Sequence, residues 1–187
     1  MNYSDQQLVA DYIAGDEKSL EILIKRYLKP IYSFICRYVG NEQEAEDITQ
    51  EVFVKVWRSL KKFDQSKSFK TWIFSIAKNT SIDWLRKKKT IPFSSFENEE
   101  GKNLLTEKLA DPAPLPNKIL ERAGIAEILN IAINQLNPKY RMVLFLRYND
   151  YFNFREIAEV LSEPLNTIKS RHRRALILLK KLLFIKP

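Results

Sequence analysis

The helix breakers of this chain are gathered in one place, and that placement restricts the fold more than its length or composition does. Four of the eight prolines, Pro92, Pro112, Pro114 and Pro116, fall between Thr90 and Asn117, with Gly101 and an acidic patch from Glu97 to Glu100 beside them. Such a stretch cannot bury a periodic apolar face, so it reads as a linker over 90–116, with one weak helical turn near Leu104 to Leu109. Outside it, apolar residues recur at helical spacing, with no strand alternation and no internal repeat. The expected fold is therefore all-α: two small helical domains, 1–89 and 117–187, joined by a flexible linker, the second containing a helix-turn-helix.

Caps and breakers divide the first domain further. Ser4 with Gln7 predicts a capping box for a helix that stops at Gly15, and Asp16 caps a second helix, with a bend expected at Pro30, that runs to about Val39, where Gly40 ends it. Asn41 with Glu44 opens a third to about Lys62, carrying Ile48, Val52, Val56, Trp57 and Leu60 at helical spacing. A loop from Asp64 to Ser68 leads into a fourth helix through Lys89. In the second domain a helix from about Asn117 to Gln135 precedes Asn137 and Pro138, a cap and first-turn pair. Asn153 with Glu156 caps the next-to-last helix.

Several function classes fall away on composition. The only glycines are Gly15, Gly40, Gly101 and Gly124, so no Gly-rich phosphate loop is present. Cys36 is the sole cysteine and His172 the sole histidine, which excludes a disulfide framework and a Cys/His zinc site. Cys36 is expected to be simply buried, in a reducing, cytoplasmic setting. No export signal or membrane span is legible, and no catalytic constellation or cofactor site is found.

The charge points elsewhere. A formal net charge of +8 on 187 residues favours a polyanionic partner. After Glu163 no acidic residue occurs, while Lys169, Arg171, Arg173, Arg174, Lys180, Lys181 and Lys186 do. Helix, Ser162–Glu163–Pro164 turn and basic helix form the pattern of major-groove reading. With Ile168, Ala175, Leu179 and Leu182 inward, Asn166, Thr167, Ser170, Arg171, Arg173 and Arg174 remain outside. Thr167, Ser170 and Arg174 are the expected base contacts, and Lys169, Arg171 and Arg173 the phosphate contacts. From Lys61 to Lys89 basic and aromatic residues alternate, a chemistry suited to holding single-stranded bases and their phosphates. Phe69, Trp72, Ile73 and Ile76 sit at core spacing, so Trp72 and Trp84 are expected to be mainly structural.

The run Ala45 to Trp57, continuing through Phe63, Asp64, Ser68 to Asn79 and Asp83 to Arg86, resembles region 2 of the sigma-70 family, in the short form of extracytoplasmic-function (ECF) sigma factors. The helix-turn-helix resembles region 4 of the same family, in the same order, so the resemblance covers nearly everything but the linker. It implies a transcription-initiation subunit, not an enzyme, that binds core RNA polymerase through the largest-subunit clamp helices and the flap. It also implies reading of promoter DNA at a −10 element by region 2 and at a −35 element by region 4.

On the positions of this chain, the resemblance implies polymerase contacts at Asp47, Gln50, Glu51, Phe53 and Trp57. It implies −10 contacts at Asp64, Lys67, Phe69, Lys70, Lys78, Asn79 and Arg86, with the loop Asp64 to Lys70 holding a flipped base. The helix-turn-helix contacts fall on the −35 element. No stable homo-oligomer is required, and an anti-sigma factor, with tethering at the inner membrane face, is a family expectation only. The chain departs from the family at Ser162 and Asn166, where Gly is usual, and at Glu163, where an apolar residue is usual. An ordinary dimeric DNA-binding regulator ranks second, and a nucleic-acid enzyme far behind.

Overall fold

The computed structural model describes residues 3–90 and 127–184, with side chains described through residue 87 in the first stretch. The helices are α1 (Asp5–Ile13), α2 (Glu17–Val39), α3 (Glu42–Ser59), α4 (Phe69–Thr90), α5 (helical over 127–134), α6 (Pro138–Leu144), α7 (Phe154–Leu161) and α8 (Leu165–Phe184). Among the described residues there is no strand, and no helix is long and apolar enough to cross a membrane. The expected linker, its turn near Leu104 to Leu109 and the expected helix start at Asn117 lie outside the described residues.

The boundaries follow from local chemistry. Ser4 Oγ accepts from the Gln7 amide at 3.1 Å, but the Gln7 side chain donates to Asp11 at 2.7 Å, so only half of the expected capping box forms. The carboxamide finds a charged acceptor one turn on and does not reach back. At Asn153 the box is complete: its Oδ1 accepts from the amides of Arg155 and Glu156, and Glu156 accepts from the Asn153 amide at 2.7 Å. Gly40 stops α2 in the left-handed region, φ 76°, where its amide reaches the Cys36 carbonyl at 2.9 Å. α2 continues through Pro30 because Tyr27, Ile31 and Phe34 are buried on either side of it.

α1 to α4 pack around Leu8, Leu23, Ile31, Phe34, Ile48, Val52, Phe69, Ile73 and Phe74, each no more than 1% exposed. Each such side chain contributes about 1.5–3 kcal/mol of burial. Asp5 clips α1 to α2 by accepting from both Arg26 and Tyr27. Cys36 is only partly buried at the edge of this core, short of the full burial expected, and the burial it has pushes its thiol pKa up.

The two halves do not stand apart. α4 packs on α7 and α2 on α6, and one buried core runs through both. Phe74 of α4 meets Phe34 at 5.3 Å and Phe152 at 4.9 Å between ring centroids, edge to face in each case. A smaller core of Leu136, Leu144 and Ala175 fastens α8 to α6. Between α6 and α7 the chain widens into a π-turn over Phe145–Asn149. The turn delivers Asp150 to Arg37 of α2 and Phe152 to Phe74 of α4.

Candidate nucleic-acid and protein interfaces

One exposed stripe of α3 carries Asp47, Gln50, Val54 and Trp57, spaced at three and four residues. Trp57 is 56% exposed and Val54 44%, so the stripe is acidic at one end and apolar at the other. Glu51 flanks it, held by Lys55 at 2.8 Å; Lys55 also donates to Thr80 at 3.1 Å and thereby ties α3 to α4. Phe53 lies on the other side, packed against the core. Beside the stripe a groove of about 500 Å³ is lined by Lys25, Leu28, Lys29, Tyr32, Glu46, Thr49 and Gln50. Leu28 and Tyr32 belong to α2, outside the α3 run that carries the motif, so that run gives no sign of them.

The loop before α4 is ordered by Asp64, whose carboxylate accepts from the Ser66 amide at 3.0 Å and from its hydroxyl at 2.7 Å. These hydrogen bonds hold the Asp64 pKa below its ordinary value. Lys67, Asn79 and Arg86 are exposed along the loop and α4. Phe69 is different: it is 1% exposed and packs against Tyr27 and Phe63, leaving no face for a base. Its core spacing prevails over its place in the aromatic-basic run. Trp72 and Trp84 are partly buried against the same core. Lys70 and Lys78 are engaged by the other half of the molecule: Lys70 donates to the Asp150 carbonyl, and Lys78 donates to Ser162 Oγ at 3.2 Å.

In the helix-turn-helix, Ser162 takes the left-handed conformation, φ 54°, that Gly would adopt more cheaply. Glu163 accepts from Arg171 at 2.6 Å, spanning the turn with an ion pair in place of an apolar contact. Asn166, Lys169, Ser170, Arg173 and Arg174 are exposed on α8, whereas Thr167 and Arg171 are partly covered. Ile168 and Ala175 are fully buried, and Leu179 and Leu182 pack on the smaller core. Further along, Leu176 and Leu179 of α8 close an apolar groove of about 270 Å³ with Leu129, Ile133, Leu144, Phe145, Tyr148 and Asn149.

His172, which the sequence leaves open between DNA and solvent, sits on the inner flank of α8. Its Nε2 is 3.0 Å from the Tyr148 hydroxyl, and its ring lies 5.0 Å from that of Phe154. Burial, then the positive charge of Arg147, push its pKa below the ordinary imidazole value. A lowered folded-state pKa means that protonation opposes folding. The contribution is intact above the unfolded value of about 6.5 and is lost as pH falls below it. Melting temperature between about pH 7.5 and about pH 5.5 is expected to fall more steeply for the natural chain than for His172→Gln; parallel slopes would contradict this.

Comparison with known proteins places this geometry. The family described as Sigma-70 region 2 matches residues 23–91, and that described as Sigma-70, region 4 matches residues 126–179. The chain is 34% identical over 169 residues to the ECF RNA polymerase sigma factor SigW of Bacillus subtilis strain 168, covering 89% of this chain and 90% of that one. It is 30% identical to the ECF RNA polymerase sigma-E factor of Escherichia coli strain K12, over 92% of this chain and 90% of the relative. The solved structure of the sigma factor RpoE of Bartonella quintana with the anti-sigma factor NepR shares the fold, with a TM-score of 0.67 at 23% identity, over 91% of this chain and 99% of that one. The chain belongs to the sigma-70 family, in its ECF group. It is thus a promoter-directing subunit of RNA polymerase and not an enzyme.

Proposed function

We propose that the stripe Asp47, Gln50, Glu51, Val54 and Trp57, with the groove beside it on α2, docks on the clamp helices of the polymerase largest subunit. Phe53 supports this surface from behind. Lys67, Lys70, Lys78, Asn79 and Arg86 take the melted −10 element, with Asp64 shaping the loop. Asn166, Thr167, Ser170 and Arg174 face base edges of the −35 element, and Lys169, Arg171 and Arg173 its phosphates. The apolar groove between α5, α6 and α8 receives the polymerase flap. Residues 1–89 and 117–187 are the two working units, acting in the cytoplasm.

The observation that carries this reading is the separation of charge. The exposed face of α3 is acidic and apolar, suited to a basic protein helix, while the outer face of α8 is basic and suited to duplex DNA. The RpoE relative was solved with an anti-sigma factor, which supports an inhibitor of that kind for this chain as well.

Run-off transcription with purified bacterial core polymerase, on DNA from upstream of the chain's own gene, tests the whole. Discrete start sites are expected only when polymerase and protein are both present. DNA binding by the protein alone, with no stimulation on any genomic fragment by cognate polymerase, would favour an ordinary regulator.

A further inference from the structure

The seam that seats α8 is interrupted by a titratable ring. Ile168, His172, Ala175, Leu179 and Leu182 recur at alternating intervals of four and three residues, so His172 occupies a step of the inward stripe. Ile168 is wholly buried in the main core and Ala175 in the smaller one, and His172 stands where the first gives way to the second. Its Nε2 lies 3.0 Å from the Tyr148 hydroxyl, and its ring is 5.7 Å from that of Tyr148 and 5.0 Å, edge to face, from that of Phe154. The Arg147 guanidinium lies 5.2 Å from the centre of the same Phe154 ring and donates to the Phe152 carbonyl at 2.9 Å. His172 therefore ties α8 both to the π-turn and to the first residue of α7. Ser170 and Arg174, two positions to either side of it, are exposed on the outer face.

We propose that His172 is a positioning residue of −35 recognition: seated neutral against Tyr148 and Phe154 it fixes how α8 lies beneath Ser170 and Arg174, and protonation unseats it and blunts discrimination at that element. The inference rests on the reading of α8 as the helix that faces the −35 element. With the ring neutral and its proton on Nδ1, the Tyr148 hydroxyl donates to Nε2; on protonation Nε2 becomes a donor, the hydroxyl must turn round, and a new charge enters a partly covered seam. The π-turn presents Tyr148 and Arg147 to the ring, and α7 presents the uncharged Phe154. On α8 its neighbours along the helix are Lys169, Arg171 and Arg173, with Arg171 paired to Glu163 of the turn. α6 meets α8 beyond it, through Leu144 and Tyr140 around Ala175. Burial, then Arg147, disfavour the charged ring. A released imidazole titrates at about 6.5, so one pH unit lower the released state gains up to about tenfold on the seated one. Base-edge hydrogen bonds are directional, whereas attraction to phosphates is not, so an unseated α8 keeps its hold on DNA and loses its choice of bases.

The test uses the full chain bound to core polymerase and two fluorescein-labelled duplexes, one carrying a promoter mapped by run-off transcription and the other altered only at its −35 element. The ratio of the two affinities, followed by anisotropy from about pH 7.5 to about pH 5.5, cancels any effect of acid on polymerase itself. For the natural chain the ratio is expected to fall by about threefold or more across that range. For His172→Gln, which takes up no proton, it should start lower and stay flat. Tyr148→Phe keeps the imidazole and loses the hydroxyl, and should lower the ratio already at about pH 7.5. His172 is the only histidine, so the imidazole proton resonances of the untagged free chain report its pKa directly. A value at or above about 6.5 overturns the inference even where a variant fails to fold, and so do parallel pH profiles for the natural chain and His172→Gln. Arg174→Ala separates the two readings: if it collapses the ratio while acid does not, α8 faces the −35 element and His172 does not position it. If neither changes the ratio, the reading of α8 is itself what failed, and the role of His172 with it.

Discussion

Phe74→Ala is expected to lower the stability of the full chain by about 3–5 kcal/mol, read as a fall in the denaturant midpoint. The ring is fully buried and meets Phe34 and Phe152 edge to face at 5.3 and 4.9 Å. Its removal leaves a cavity where the bundle core joins the second half, and forfeits two aromatic pairs worth about 0.5–1.5 kcal/mol each beyond burial. Phe74→Leu keeps much of the volume and should cost well under half as much. Trp57→Ala, at an exposed position, should stay within about 0.5 kcal/mol. The cooperativity is as informative as the midpoint: with the seam weakened, one unfolding transition is expected to split into two. A cost no larger than that of Trp57→Ala, with a single transition retained, would show that Phe74 does not join the halves.

Much of this architecture was legible because it is written locally. Asn41, Asp16, Asn137, Asn153 and Gly40 mark helix ends through bonds to residues two to four positions away. Ile48, Val52 and Val56 declare the inner face of α3 by spacing alone. What stayed hidden is non-local or ambiguous in type. The pairing of Arg37 with Asp150 joins positions that no periodicity relates, and the seating of Lys70 on Phe152 has no trace in either motif.

Residue type misled in a different way. Phe69 beside Lys70 satisfies a base-stacking pattern and a core pattern equally, and only packing against Tyr27 and Phe63 decides for the core. At the turn, Ser162 in place of Gly puts the geometry in question on sequence grounds. The fold answers by forcing the left-handed conformation on Ser162 and bracing the turn with the ion pair between Glu163 and Arg171. His172, polar in a basic helix, reads as outward-facing until Tyr148 and Phe154 are seen against it.

Asp47→Lys and Glu51→Lys are each expected to weaken binding to core polymerase by roughly 100-fold, because setting a like charge against a basic partner helix costs several kcal/mol and each 1.4 kcal/mol is about tenfold. Folding should be spared, most clearly at Asp47, whose side chain is exposed on α3. At Glu51 the reversal also breaks the pair with Lys55 and sets like charges one turn apart, a local penalty of about 0.2–0.5 kcal/mol. Asp47→Lys is therefore the cleaner probe, and its loss should shrink as salt rises, since the contact it reverses is electrostatic. Arg174→Ala supplies the opposite dissection: on the exposed face of α8 it should reduce discrimination at the −35 element by about 1–3 kcal/mol and leave polymerase affinity unchanged. Equilibrium binding to labelled core polymerase, paired with transcription from promoters altered only at the −35 element, measures both effects. If the two substitutions depress both readouts alike, α3 and α8 do not divide the work, and the separation of acidic and basic faces is a property of folding and solubility alone.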